Sequence, residues 1–124
     1  MKSKILLVDD SYINREYLRM LLEDNDFDIE EADSGAAALD YLQTSTPDLM
    51  ILDLTMPNID GLDTLRRVRN RGLEFPIVIF TSSYKEGTRE ECLKAGANEV
   101  VNKPSKPHNL LNVINKLLSG AVKN

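Results

Sequence analysis

Residues Leu49–Gly61 read Leu-Met-Ile-Leu-Asp-Leu-Thr-Met-Pro-Asn-Ile-Asp-Gly, an apolar run that ends in a carboxylate and is followed by turn residues. The apolar residues Leu49–Leu52 predict a strand buried on both faces, which Pro57 and Gly61 prevent from continuing. Asp53 therefore lies at the carboxyl end of this predicted strand. Because ligands bind at that edge of open α/β sheets, Asp53 is the first candidate functional residue.

The same strand-then-helix pattern occurs five times along the chain. The predicted strands are the runs Ile5–Val8, Asp28–Ala32, Leu49–Leu52, Ile77–Phe80 and Val100–Val101. Each is followed by apolar residues at helical spacing. Ser34 is the predicted cap of the second helix, Gly96 the end of the fourth and Pro107 the start of the fifth. This alternation predicts an α/β fold, with helices on both faces of one doubly wound five-stranded parallel sheet.

The helical spacing also predicts which side chains face the interior. The apolar stripe assigned to the first helix is Ile13, Tyr17, Met20 and Leu21. Tyr12, Tyr17 and Tyr41 are interpreted as packing residues, and Cys92 is expected to be a small buried residue rather than a nucleophile. His108 is expected to face solvent, and Ser119–Asn124 to form a frayed tail.

Composition sets the broad class of the chain. Its 124 residues suffice for one domain with a core and are too few for two ordinary domains. The apolar runs are too short to span a bilayer and no signal peptide is recognisable, so we expect a cytoplasmic protein. A net charge of −5 argues against nucleic-acid binding. The only basic run, Arg66, Arg67, Arg69 and Arg71, is interpreted as a solvated helix end.

Polar residues follow four of the five predicted strands. They are Asp9 and Asp10, Asp53, Thr81, and Lys103. A parallel sheet brings these strand ends to one edge, where three carboxylates repel one another unless they are protonated or bridged by a cation. Mg²⁺ suits such a site better than Ca²⁺, and Zn²⁺ would require His or Cys ligands. A hydroxyl, an ammonium group and a carboxylate nucleophile at one edge indicate phosphoryl transfer.

These residues stand in motifs that resemble those of the response-regulator receiver domain of two-component signalling. The motifs are Val8-Asp9-Asp10, Leu52-Asp53 with Met56-Pro57 and Gly61, Thr81-Ser82, Lys94-Ala95-Gly96-Ala97 and Lys103-Pro104. The resemblance covers Lys4–Leu118, so residues 1–124 are predicted to be one receiver domain. It implies a flavodoxin-like sheet with strand order 2-1-3-4-5.

The resemblance also implies a role for each site residue. Asp53 would be the phosphoacceptor, Lys103 would contact the phosphoryl group and Thr81 would be the switch hydroxyl. Asp9 and Asp10 would hold Mg²⁺ together with Asp53 and the backbone carbonyl of Thr55. The bond between Lys103 and Pro104 would be cis.

By the same resemblance, the phosphoryl donor is the phosphohistidine of a sensor histidine kinase or a phosphotransfer protein. The chain would assist its own phosphorylation and dephosphorylation without being a conventional turnover enzyme. Phosphorylation would switch a protein-binding face used by a downstream protein or an output domain, with no direct binding to nucleic acid or membranes. The sequence leaves open whether the receiver stands alone or belongs to a larger regulator or hybrid kinase.

One position departs from the family pattern. The residue three before Lys103 is usually Tyr or Phe, coupled to the switch Thr, but here it is Val100. An aromatic ring therefore cannot report phosphorylation at this position, and Tyr84 is an alternative candidate. Thr55 and Ser83 occupy the two positions that, by resemblance, tune hydrolysis of the acyl phosphate.

Three other functions fit the same fold. A pseudo-receiver, an interaction module that is never phosphorylated, usually lacks some site residues, whereas this chain keeps them all. Val100 keeps this alternative open. A flavodoxin-like FMN binder is disfavoured because, without a metal, Asp9 and Asp10 would repel the phosphate of the cofactor. An aspartate-nucleophile phosphatase usually has a second Asp two residues after the nucleophile, where this chain has Thr55.

Asp60 is interpreted as a turn or cap residue.

Overall fold

A computed structural model describes residues 2–54, 61–82 and 85–119 of the chain. Its strands are β1 (Lys4–Val8), β2 (Asp28–Ala32), β3 (Leu49–Leu52), β4 (Ile77–Thr81) and β5 (Glu99–Asn102). Its helices are α1 (Tyr12–Glu23), α2 (Gly35–Tyr41), α3 (Gly61–Asn70), α4 (Thr88–Lys94) and α5 (Pro107–Leu118). The predicted alternation is confirmed, and the strand boundaries differ from the predicted ones by no more than one residue.

The five strands form one parallel sheet in the order β2-β1-β3-β4-β5, as expected. Val8 pairs with Leu52, so β1 and β3 end at the same level. Backbone hydrogen bonds extend the pairing past the strand ends, from Asp53 N to Val8 O (3.0 Å) and from Lys103 N to Thr81 O (2.8 Å). The residues that follow β1, β3 and β5 therefore emerge along one edge of the sheet.

Apolar side chains cover both faces of this sheet. Strand β3 is buried at all four positions, as predicted for a central parallel strand. On one face the strands pack against α2, α3 and α4, and the buried Cys92 and partly buried Tyr41 belong to this layer. On the other face they pack against α1 and α5. Burial raises the pKa of the Cys92 thiol, which agrees with a structural role for this cysteine.

The predicted helix signals are confirmed where the structure describes them. Ser34 precedes α2, and its Oγ accepts a hydrogen bond from the backbone N–H of Ala37 at 3.0 Å. Gly96 follows α4 with a φ of +114°, and Pro107 is the first residue of α5. His108 is exposed on α5, as expected. None of the described helices has the length and apolarity that a membrane span requires.

The prediction for the buried face of α1 is wrong. Ile13, Tyr17 and Met20 are 77%, 51% and 61% exposed, and Tyr12 is also exposed. The side chains that enter the core are those of Leu18 and Leu22. The helix has two neighbouring apolar stripes, and helical spacing alone does not determine which one faces the sheet.

The interpretation of the basic run as a solvated helix end agrees with the exposure of Arg66, Arg67 and Arg71, but not with the partly buried Arg69. Arg66 and Arg67 are exposed and lie near carboxylates. Arg69 instead donates to the backbone carbonyls of Gly96 (3.0 Å) and Leu73 (2.8 Å), and Arg71 donates to that of Leu39 (2.9 Å). Arg69 thus ties α3 to the loops that precede β4 and β5, and Arg71 ties α3 to α2. Burial lowers the pKa of Arg69.

The assignment of the α1 faces predicts different costs for two substitutions of similar size. Leu18→Ala should lower the free energy of unfolding by about 3 kcal/mol, because it opens a cavity in the core. Met20→Ala should change it by no more than about 0.5 kcal/mol, because the side chain is already in solvent. Urea denaturation followed by circular dichroism measures both. A Met20→Ala cost equal to that of Leu18→Ala would contradict the assignment.

The close packing around Gly61 predicts that alanine substitution lowers the free energy of unfolding more at Gly61 than at Gly72. A Cβ on Gly61 would lie 2.2 Å from the backbone oxygen of Asp53, whereas a Cβ on Gly72 meets nothing within 4 Å. Gly61→Ala should therefore cost about 3 kcal/mol through overpacking. Gly72→Ala should cost only about 1 kcal/mol, from its φ of +82°. Equal shifts of the urea midpoint for the two variants would refute the close contact at Asp53.

Candidate functional site

Three carboxylates meet at the carboxyl edge of the sheet. Asp9 and Asp10 follow β1 and Asp53 follows β3, and one oxygen from each lies within 4.8 Å of the other two. Asp9 and Asp53 are only 4% and 7% exposed, whereas Asp10 is exposed. The parallel register of β1 and β3 produces this convergence, and the sequence analysis predicted it.

Asp9 is held in place on both sides. Its Oδ1 accepts a hydrogen bond from the backbone N–H of Ser11 at 2.8 Å, and its backbone N–H donates to Ala32 O at 3.2 Å. Its backbone carbonyl accepts a hydrogen bond from Arg15 Nη1 at 2.6 Å. The loop after β1 is therefore anchored both to β2 and to α1.

Lys103 brings a positive charge to the three carboxylates, as predicted. Its Nζ lies 3.2 Å from Asp9 Oδ2 and 3.8 Å from Asp53 Oδ2, and its side chain is only 18% exposed. The ammonium group also lies 5.2 Å from the centre of the Phe80 ring. The peptide bond between Lys103 and Pro104 is cis, as the family resemblance implied.

Thr81 is the last residue of β4 and is fully buried. Its backbone oxygen accepts the hydrogen bond from Lys103 N, so the ends of β4 and β5 are joined at this edge. The structure thus brings together five of the six predicted site residues: Asp9, Asp10, Asp53, Thr81 and Lys103. The sixth, Thr55, lies outside the described residues, as do Met56, Pro57, Asp60, Ser83, Tyr84 and residues 120–124.

The chemistry of the donor set suits a hard divalent cation. Within the described residues the cluster offers only carboxylate oxygens, which are the ligands that Mg²⁺ and Ca²⁺ prefer. When all three carboxylates are ionised, Lys103 offsets one of their three charges. A divalent cation would balance the remaining two. The donor set therefore fits a metal ion beside the nearly buried Asp53, with the ammonium group of Lys103 also nearby.

A second group of charged side chains supports this edge from α1. Glu31 of β2 accepts hydrogen bonds from Arg15 Nε at 2.8 Å and from Arg19 Nε at 2.6 Å, and it also contacts Arg19 Nη2. Burial acts to raise the pKa of Glu31, but the hydrogen bonds and charges of the two arginines outweigh it and lower the pKa overall. Sequence reasoning missed this group. The i, i+4 spacing of the arginines was the available signal.

The surroundings of Val100 contain a further side chain that sequence reasoning missed. Arg89 of α4 donates from Nη1 to Val100 O at 3.2 Å and from Nη2 to Glu99 Oε1 at 2.9 Å. Arg89 and Val100 also line an open groove of about 690 Å³ between α4, β5 and α5. An arginine, rather than an aromatic ring, therefore links α4 to β5 at this position.

Comparison with known proteins identifies the family. The sequence model for the response regulator receiver domain matches residues 5–115. Response regulator MprA of Mycobacterium bovis is 37% identical over 118 residues, which are 95% of this chain and 51% of that protein. The response regulator MprA of Mycobacterium tuberculosis shows the same identity and coverage. The chain thus spans about half the length of these curated relatives.

Solved structures agree with this match. Chemotaxis protein CheY4 of Vibrio cholerae superposes with a TM-score of 0.88 at 28% identity, covering 94% of this chain and 99% of that one. The signal receiver domain of a signal transduction histidine kinase from Syntrophus aciditrophicus superposes with a TM-score of 0.89 at 30% identity, covering 98% and 94%. The chain belongs to the response regulator receiver domain family of two-component signalling.

Proposed function

We propose that Asp53 accepts a phosphoryl group and that Mg²⁺ bound by the neighbouring carboxylates is required for this transfer. The observation that carries the proposal is the meeting of Asp9, Asp10 and Asp53 with the ammonium group of Lys103 at one edge. Thr81 ends the adjacent strand β4. This combination provides a nucleophile, a cation site and a fixed positive charge, which are the parts that phosphoryl transfer requires.

In the proposed reaction, a carboxylate oxygen of Asp53 attacks the phosphorus of a phosphohistidine. A P–O bond forms as the P–N bond breaks, and the electron pair of that bond stays with the departing imidazole. Lys103 stabilises the negative charge on the transferred oxygens, since its Nζ is already 3.8 Å from Asp53. Asp9, Asp10, Asp53 and the backbone carbonyl of Thr55 would hold Mg²⁺, which neutralises charge on the phosphoryl oxygens when it is bound.

We propose a sensor histidine kinase or a phosphotransfer protein as the donor. A protein donor must dock beside Asp53, and the exposed apolar side chains of Ile13, Tyr17 and Met20 lie on the helix that follows Asp9 and Asp10. Tyr17 and Lys103 also line a common cavity of about 270 Å³. Apolar surface next to a reacting group supports docking of a protein rather than of a small donor alone.

Phosphorylation would act as a switch. It would place about two negative charges on the nearly buried Asp53, and Thr81 and Lys103 would move toward them. Val100 provides no ring to follow this movement, so the change would pass to α4 and β5 by another route, with Tyr84 as one candidate. The output would be a changed binding face for a downstream protein or output domain. In this proposal the chain is a phosphoacceptor that assists its own phosphorylation and dephosphorylation.

Phosphorylation can be tested with acetyl phosphate and Mg²⁺, followed by intact-mass measurement. We expect one phosphoryl group per chain in the wild type and none in Asp53→Asn, because the amide is not a nucleophile. Asp10→Asn should be phosphorylated more slowly, since it keeps the acceptor and loses a metal ligand. Asp40→Asn, the same change at an exposed position of α2, is the control and should leave the rate of phosphorylation unchanged. A wild-type chain that gains no mass would contradict the proposal and favour a pseudo-receiver.

Lys103→Met distinguishes the stabilisation of the transferred phosphoryl group by Lys103 from the binding of Mg²⁺ by the carboxylates. The rate of phosphorylation at saturating Mg²⁺ should fall about a hundredfold, because a fixed charge that stabilises the transferred oxygens is lost. The affinity for Mg²⁺, measured by calorimetry, should not fall, because removing a cation leaves the carboxylates more negative. Lys106→Met, the same change at an exposed position nearby, is the control and should leave both quantities unchanged. Loss of Mg²⁺ affinity in Lys103→Met would refute this division of roles.

A further inference from the structure

We propose that Arg15 is a positioning residue for the metal-binding carboxylates and that it acts through the peptide bond between Asp9 and Asp10. This inference rests on the proposed function, because it assigns a task to Arg15 in the Mg²⁺ site. Arg15 itself touches neither the metal ligands' carboxylates nor Asp53 in any hydrogen bond of the described residues. Its effect would come from the backbone of the loop that carries two of the three ligands.

The guanidinium of Arg15 is held by hydrogen bonds at two of its nitrogen atoms. Nη1 donates to the carbonyl of Asp9 at 2.6 Å, Nε donates to Glu31 Oε1 at 2.8 Å, and the side chain is only 12% exposed. The Tyr12 ring lies 5.9 Å from the guanidinium carbon. A planar guanidinium held at two points cannot turn without breaking one of them, so Arg15 fixes the direction of the Asp9 carbonyl.

The direction of this carbonyl matters most for Asp10. A peptide unit is planar, so fixing the carbonyl of Asp9 also fixes the N–H of Asp10 and the path of the chain into its Cα. The carboxylate of Asp9 has its own partners in Ser11 and Lys103. The exposed carboxylate of Asp10 has no hydrogen bond or ion pair within residues 2–54, 61–82 and 85–119. Its aim toward the metal site therefore depends on its backbone.

Arg19 provides a matched control within the same helix. It also binds Glu31, with Nε 2.6 Å from Oε2, and it forms a second ion pair with Glu23. It has no hydrogen bond to the loop after β1 in the described structure. A purely structural role of the arginine–glutamate group would make Arg15 and Arg19 similar, whereas a positioning role would affect the metal site only through Arg15.

The test has to keep the charge constant. A neutral residue in place of Arg15 would remove a positive charge from the neighbourhood of the metal site and strengthen the attraction for Mg²⁺, which would hide a loss of positioning. Arg15→Lys keeps the charge, but its single ammonium group does not reproduce the fork that holds Glu31 and the Asp9 carbonyl together. Arg19→Lys makes the same chemical change one helical turn away.

Calorimetric titration of Mg²⁺ into the wild type and the two lysine variants tests the inference, with thermal melts of each chain as a check on folding. We expect Arg15→Lys to bind Mg²⁺ about tenfold more weakly, which is the lower end of the usual effect of residues that support metal ligands. Arg19→Lys should stay within about twofold of the wild type, within the range of substitutions remote from a site. Equal Mg²⁺ affinities for the two variants would overturn the positioning role.

A second measurement uses the wild-type chain and needs no variant to fold. In a ¹H–¹⁵N spectrum followed through the Mg²⁺ titration, the Nε–H signal of Arg15 should shift and that of Arg19 should stay in place. An Arg15 signal that is unmoved at saturation would overturn the inference. A wild-type chain that binds no Mg²⁺ would overturn the metal site itself, so the two failures are distinguishable.

Discussion

Parallel strand pairing brings three carboxylates together, and their mutual repulsion determines which charges the site can bind. Hydrogen bonds between β1 and β3 place Asp9 and Asp53 at the same level, and Asp10 follows directly. Nearly burying two of these groups side by side is costly, and within the described residues Lys103 supplies the positive charge nearest to them. The remaining negative charge makes the site receptive to a divalent cation. The fold thus produces an excess of negative charge, which the Mg²⁺ ion of the proposed reaction would balance.

Hydrogen bonds connect the carboxylate site to the rest of the sheet in two directions. Toward β2, Arg15 binds both Glu31 and the backbone carbonyl of Asp9, and so holds the loop that carries Asp9 and Asp10. Toward β4 and β5, the hydrogen bond from Lys103 N to Thr81 O joins the two strand ends that would respond to a phosphoryl group. In the proposed function, positioning before transfer and response after it would therefore use different sides of the same edge.

Sequence reasoning could predict the features that depend on local patterns. The buried run before Asp53, the cap at Ser34 and Pro107 at the start of α5 all follow from rules about neighbouring residues, and parallel pairing then implies the convergence of the site. It could not choose between the two apolar stripes of α1, because only packing against the sheet selects Leu18 and Leu22. It also missed the partners of Arg15, Arg69 and Arg89. Each of these arginines donates to at least one backbone carbonyl, and a carbonyl acceptor has no sequence signal.

The most direct test of the central claim is the location of a bound divalent cation. Mn²⁺ has the same preference for oxygen ligands as Mg²⁺, and it broadens the NMR signals of nearby nuclei. In a titration with substoichiometric Mn²⁺, the amide signals of Asp9, Asp10 and Asp53 should broaden first, and excess Mg²⁺ should restore them. Broadening centred on other acidic residues, such as the exposed carboxylates of α4, would contradict the account.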